Sequence, residues 1–345
     1  MYDAPESPRT GETLRAALAE LLDGLPPKQA AQAVDRLIAN YRGRTPTDAP
    51  VLRDRSDVVA YAAYRMPATF EAVRAALDAF REQDPDWSPA THVDVGGGTG
   101  AASWAVDAAW PGAERATTVL DWAEPALALG GELARTATSP ALRAARWQRA
   151  EIGAGLKLPD ADLVTVSYVL GELTDAARGA VVEEAGRAAR AVVIIEPGTP
   201  DGYLRVLAAR DRLIAAGLRV LAPCPHSAAC PIVPGTDWCH FSARVSRSSL
   251  HRRVKGGSLP YEDEKFSYVA AVRTPVEPEP DPSLRTPVEP APARVVRRPQ
   301  IRKGQVLLDL CTAEEQIRRE TVTKRHGPLY RAARDADWGD AWPPA

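Results

Sequence analysis

No apolar run approaches the roughly 18–20 residues of a membrane-crossing helix, so no membrane span is expected. The chain opens MYDAPESPRT, without the basic and apolar stretches of a secretory leader, and a cytoplasmic location is the expectation. An excess of one charge is also lacking: 43 Lys and Arg stand against 45 Asp and Glu, a formal net charge of −2. No global field therefore marks a nucleic-acid binder, and any such role must rest on local patches. Cysteine is scarce, with four in 345 residues. In a large chain of a reducing compartment these do not read as structural disulfides, which leaves metal binding, catalysis or plain burial.

Hydrophobic residues make up 45% of the chain, enough for a sizeable core and about two domains. Residues 1–86 read as helices. Thr10 caps the first, Pro26 and Pro27 open a second that Gly43 ends, a third spans about Asp57–Tyr64, and a fourth starts near Pro67. From Thr91 short apolar runs alternate with alanine-rich helical stretches: His92–Val95, Thr117–Leu120, Leu163–Tyr168 and Ala191–Ile195. That alternation predicts an α/β fold with a parallel, doubly wound sheet over 87–273. Leu218–Ala222 and Phe266–Val272 add two more strands, with the stretch 223–262 inserted between them. Residues 274–293 form a linker, since 274–292 holds seven prolines and repeats TPVEP. A small basic extension, 294–345, follows, with a strand-like segment at 305–311.

The segment VDVGGGTG joins the first strand to the next helix. Gly96, Gly98 and Gly100 let the backbone turn sharply and approach a ligand, and the helix start offers free N–H groups. Gly96, Gly98 and Ala101 also fit a dinucleotide-binding loop. The acid at Asp94 favours a different ligand: a carboxylate there suits the cationic amine of a methionine moiety and repels a pyrophosphate. Asp121, ending the second strand, is placed to accept ribose hydroxyls, and Glu151, after the third, to reach an adenine amine. Over 87–273 this pattern resembles the class I S-adenosylmethionine-dependent methyltransferases, with their Rossmann-like sheet. Two methyltransferase signatures are missing from the ends of the fourth and fifth strands: an Asp/Asn-Pro-Pro-aromatic tetrad and a Pro-Cys nucleophile. Glu172 and Glu196 lie there, and neither stands out as a base, so the catalytic residues stay unknown.

Cys224, Cys230 and Cys239 are spaced C-x5-C-x8-C in a Pro- and Gly-rich loop, and Cys311 follows 72 positions later. Such a loop gains order from bound metal. Four thiolates suit tetrahedral zinc or an iron–sulfur cluster, and the spacing is not the usual zinc-finger one. His226 and His240 are rival ligands. Cations gather on either side: Arg244, Arg247, His251, Arg252, Arg253 and Lys255, then Arg294, Arg297, Arg298, Arg302 and Lys303, then Arg318, Arg319, Lys324 and Arg325. Phosphate contact is the functional reading; an ordinary solvated face is the alternative.

The block CPHSAACPIVPGTDWCHFSARVSR, with YEDEKFSY at 261–268, GQVLLDLC at 304–311 and Trp338-Gly339-Asp340, is more specific. From about Tyr64 onward it resembles the bacterial branch of the methyltransferase-like family associated with the mitochondrial small ribosomal subunit. The resemblance implies a [4Fe–4S] cluster on Cys224, Cys230, Cys239 and Cys311. It also implies binding to small-subunit rRNA during assembly; off the ribosome a monomer is the expectation. Three functions follow as expectations: an rRNA methyltransferase with a structural cluster, a non-catalytic assembly factor, or a methyltransferase with structural zinc.

Overall fold

A computed structural model describes residues 10–42, 55–248, 258–273 and 291–344. Gly43, His251, Arg252, Arg253, Lys255 and most of the proline-rich linker, 274–290, lie outside the described residues. The chain divides into two compact units, each taken by itself below: Met1–Arg74 with Ser88–Ile152 and Arg244–Glu264, and Ala75–Trp87 with Gly153–Ala243 and Lys265–Ala345. Among the described residues no helix is long and apolar enough to cross a membrane.

Helix α1 (Thr10–Asp23) begins at Thr10, whose hydroxyl donates to Asp107 Oδ2 at 3.2 Å instead of capping the helix, and α2 (Pro27–Arg42) begins at the second of the paired prolines. The expected third and fourth helices are one, α3 (Arg55–Gln83), with Pro67 in its interior. Proline removes one helix hydrogen bond. The break does not follow because apolar residues on both sides of it, Val59, Ala63 and Met66 before and Phe70 and Val73 after, are buried.

In the first unit β1 (Thr91–Val95), α4 (Ala101–Ala109), β2 (Ala116–Asp121), α5 (Glu124–Arg135), the short α6 (Pro140–Arg143) and β3 (Arg146–Arg149) follow in turn. The strands are parallel in the order β3-β2-β1, with Val93 opposite Thr118 and Thr118 opposite Arg146. Val93, Val95, Val119 and Leu120 are all buried, as expected where helices cover a parallel sheet.

The second unit continues with β4 (Ala161–Ser167), α7 (Asp175–Ala188), β5 (Ala189–Pro197), α8 (Pro200–Ala215) and β6 (Leu218–Ala222). Next in the chain come β7 (Phe241–Ser246) and β8 (Tyr261–Arg273), whose residues 244–246 and 261–264 are counted with the first unit, giving the order β4-β5-β8-β6 with β7 paired to β8. β4 and β5 are parallel, and β8 runs antiparallel between β5 and β6. A β3-β2-β1 half and a half whose last strand inserts antiparallel before its sixth are those of a Rossmann-like methyltransferase fold.

The C-terminal extension is a small antiparallel sheet with its own core. β9 (Ala293–Val295), β10 (Gln300–Arg302), β11 (Gln305–Thr312), β12 (Ile317–Thr323) and β13 (Ala341–Trp342) flank a short helix, α9 (Pro328–Asp335). Val306, Leu308 and Leu310 of β11 share one face and pack with Val295, Val322, Ala333 and Trp342. Period-two alternation then turns Cys311 to the opposite face.

Candidate functional site

The glycine loop is built around two carboxylates. Asp94 is fully buried, and its Oδ2 accepts from Ser103 Oγ at 3.1 Å. Gly97 passes so close that an added Cβ would stand 2.7 Å from that oxygen and 2.6 Å from Val119. Gly96, Gly98 and Gly100 have φ of 66°, 53° and 85°, a left-handed backbone that glycine alone adopts without cost. Asp121 Oδ2 accepts from Gly98 N at 2.8 Å and its Oδ1 from Ala123 N at 2.8 Å, so the strand-end acid also fixes the loop. Burial raises the Asp121 pKa, opposed by hydrogen bonds from the Ala123, Gly98 and Trp122 amides. Glu151 is exposed after β3. The sequence reading missed Trp122: directly after the acid, its indole is 53% exposed. An aromatic residue following the strand-end acid was the available signal.

The end of β4 holds a second missed feature. Tyr168 has φ of +60°, a conformation that is strained for a bulky side chain, and its N–H donates to Ile195 O at 2.8 Å. Glu196, a base by position alone, is fully buried. It accepts from Leu170 N at 3.0 Å and from Arg205 Nε at 2.6 Å, and so braces β5 against the turn after β4. Burial pushes its pKa up, and Arg205 opposes the shift.

All four cysteines line one cavity, together with Tyr203 and Arg210. Cys224 leaves the end of β6, Cys230 lies 3.4 Å from Tyr203 Oη, and the Cys239 carbonyl accepts from Ser267 Oγ of β8 at 2.7 Å. Cys311 arrives from β11, its Sγ 3.7 Å from His226 Nε2. Burial raises the thiol pKa of Cys224, Cys239 and Cys311, the last to about 12. Arg210 opposes the shift at Cys224 and Cys311. Among the described residues no three His, Cys, Asp or Glu side chains converge tightly enough for a single metal ion. His240 is held by aromatic packing, stacked on Trp238 at 5.1 Å and edge-on to Trp338 at 4.8 Å. The YEDEKFSY segment supplies Phe266 and Tyr268, which pack with Phe241 as one aromatic cluster.

The predicted phosphate-binding cations divide. Arg294 is buried and donates to Pro223 O at 3.2 Å and Gly339 O at 2.8 Å, so it is a brace rather than a surface contact. Arg297 ion-pairs with Asp237 and donates to Trp238 O at 3.2 Å. Arg244 pairs with Asp263 at 2.7 Å and lies over the Tyr261 ring, while Arg247 pairs with Glu262 at 2.9 Å. Near-neutral composition provides a carboxylate for each of these three. Arg298, Arg302 and Lys303 are exposed, with Arg302 donating to Gln300.

The chain is loosely similar to a SAM dependent methyltransferase from Aquifex aeolicus, at 16% identity and TM-score 0.40, covering 64% of this chain and 100% of that one. The human mitochondrial ribosome assembly protein METTL17 is 28% identical over 300 residues, 82% of this chain and 62% of the human protein. The mitochondrial ribosome assembly protein RSM22 of Saccharomyces cerevisiae is 22% identical over 179 residues, 36% of this chain and 28% of the yeast protein. The chain thus spans about three fifths of the human relative's length, and less of the yeast one's. The model of the family described as mitochondrial small ribosomal subunit Rsm22 matches residues 55–343, from α3 to the last strand, and the chain belongs to that family.

Proposed function

We propose that this is a methyltransferase-like assembly protein of the small ribosomal subunit, which binds rRNA through its C-terminal sheet and carries a [4Fe–4S] cluster on Cys224, Cys230, Cys239 and Cys311. The observation that carries the reading is the meeting of Cys224, Cys230 and Cys239 of one loop with the remote Cys311 on one cavity, in a chain of this family. Four thiols lining one cavity are a donor set that suits an iron–sulfur cluster, and their C-x5-C-x8-C spacing is not the usual zinc-finger one. Bound there, the cluster supplies a covalent staple between the loop after β6 and strand β11. The residues around it set that staple in place: Ser267 holds the Cys239 backbone, and Tyr203 faces Cys230. Arg298, Arg302 and Lys303 are exposed cations available to phosphate, as are Lys324 and Arg325 further along the extension.

The glycine loop supports S-adenosylmethionine as a second ligand. Asp94 would meet its amine, Asp121 its ribose hydroxyls, and Trp122 offers a face to the adenine, with Glu151 at the rim. Methyl transfer is the second reading, and Glu196 weighs against it, because a buried carboxylate clamped by Arg205 and Leu170 N is not poised to take a proton. The protein would act as a monomer away from the subunit and in the cytoplasm.

The test is co-sedimentation of the full chain with small ribosomal subunits. Reversal of Arg298, Arg302 and Lys303 to Glu should abolish it, while wild-type association by the reversed protein would exclude this surface. Loss of a methyl group from small-subunit rRNA in a deletion strain would favour the enzyme; an unchanged methylation pattern favours the assembly factor.

A further inference from the structure

Two guanidinium groups are buried at the cysteine loop, and among the described residues neither is balanced by a buried carboxylate. Arg210 on α8 is 3% exposed and lines the cavity. Its Nη2 donates to His226 O at 3.0 Å and Ala228 O at 2.5 Å, both carbonyls of the loop. Its Nη1 reaches Asp211 at 3.2 Å, but that carboxylate lies largely in solvent. Its Nε–H, also buried, has no hydrogen-bond partner among the described residues. Arg294 is 1% exposed and holds Pro223 O, immediately before Cys224. Its acidic neighbour, Glu82, stands 3.7 Å away and is more than half exposed.

Burying a cation is costly unless an anion accompanies it. The anionic chemistry beside them is the cysteine set: Arg210 lines its cavity, and Arg294 holds the carbonyl before Cys224 and stands opposite Cys311 in the sheet. Four thiolates around an oxidised four-iron core leave two negative charges, and two buried arginines match them.

We propose that Arg210 and Arg294 are the charge-balancing pair of the cluster, and that Arg210 is a positioning residue that tunes its reduction potential. The proposal rests on the cluster reading above. Reduction adds one negative charge to the group, so a fixed cation beside it favours the reduced form, and its removal makes the potential more negative. Carbonyl contacts alone do not need this charge, since a neutral donor also bonds a carbonyl. The charge and the bonds can therefore be separated.

The experiment is a redox titration of anaerobically purified full-length protein, followed by visible absorbance, on wild type, Arg210→Gln and Arg210→Lys. Arg210→Gln should shift the one-electron equilibrium at least tenfold toward the oxidised form, about 59 mV more negative, and Arg210→Lys should restore most of the shift. A role confined to bracing the loop would lower the melting temperature of both variants and leave the potential unmoved, which overturns the proposal. Arg294→Gln gives a second reading by the same titration. Should Arg210→Gln fail to hold iron while Arg210→Lys holds it, charge is the requirement and the proposal stands. If neither Arg210 variant holds iron, Arg294→Gln decides: a wild-type potential there overturns the pairing. Wild-type protein without iron overturns the cluster reading and this inference with it. Iron-loaded wild type with an unmoved Arg210→Gln potential overturns this inference alone.

Discussion

Arg294 stands directly across from Cys311 in the β9–β11 ladder. Cross-strand partners share a face of the sheet, so the thiol and the guanidinium both turn away from the core of the small sheet and toward the loop after β6. Arg294 secures that loop through Pro223, and Cys311 completes the cysteine set. A buried cation and a shared cavity thus tie the C-terminal sheet to one loop of the same unit.

Cys311→Ala is expected to loosen the C-terminal sheet, because a structural metal site contributes folding energy directly. A loss of about 3 kcal/mol would lower the melting temperature by about 6–12 °C, accompanied by loss of bound iron. Thermal unfolding of anaerobic protein checks this, and an unchanged midpoint would count against a cluster that staples the sheet.

The glycine loop gives a steric prediction. A methyl group on Gly97 would overlap both the Asp94 carboxylate and Val119. Gly97→Ala should therefore cost about 1–3 kcal/mol and remove S-adenosylmethionine binding by calorimetry. Asp94→Ala should lose at least about tenfold in affinity, worth about 1.4 kcal/mol. Equal affinity in the Asp94 variant would overturn the loop assignment.

Trp122 allows an optical test of the same site. Its exposed indole, next to Asp121, should change fluorescence when an adenine settles on it, and Trp122→Leu should remove that change while the fold persists. A ligand-induced signal that survives in Trp122→Leu would place the adenine elsewhere.

Stability should fall in mild acid through His92. The side chain is fully buried, and burial, followed by the charge of Arg115, lowers its pKa to about 3. The unfolded chain titrates near 6.5, so between these values it binds a proton that the native protein refuses. Stability is full above about pH 6.5 and declines toward pH 3. At pH 5 the cost is about 2 kcal/mol, from about 1.5 units below the unfolded value. Denaturant unfolding at pH 7 and pH 5 measures it, and His92→Val should flatten the dependence. An equal pH slope in the variant would assign the effect to other groups.

Much of this was legible because it is local. β1, β2, β4, β5, β6 and β8 announced themselves as apolar runs, and the glycine loop as a short motif with its acid two residues ahead; β3, with the largely exposed sequence RWQR, and β7, inside the stretch read as an insertion, gave no such signal. Cys311 was grouped with Cys224, Cys230 and Cys239 because it is the remaining cysteine of the chain and by family resemblance, since spacing says nothing across 72 positions. Pro67 misled the helix count because tertiary burial overrode a local preference. β9 and β13 are three and two residues long, too short for any periodicity to register. Arg294 looked like its exposed neighbours, because burial of a cation in a basic run depends on the strand it pairs with. The WGD motif was visible but unexplained; Gly339 supplies the carbonyl that holds Arg294.

The rRNA surface should show itself in salt dependence. If Arg298, Arg302 and Lys303 each neutralise a phosphate, their replacement should reduce the log–log salt slope of binding to a small-subunit rRNA duplex by about 3. Neutralising Arg244, which Asp263 already engages, should change the slope little.

Metal and acid-labile sulfide analysis of the anaerobically purified full-length chain is the most direct test of the cysteine centre. About four iron and four sulfide per chain, in brown protein that bleaches on reduction, is the predicted result. Colourless protein with one zinc per chain, or with no metal, would contradict it.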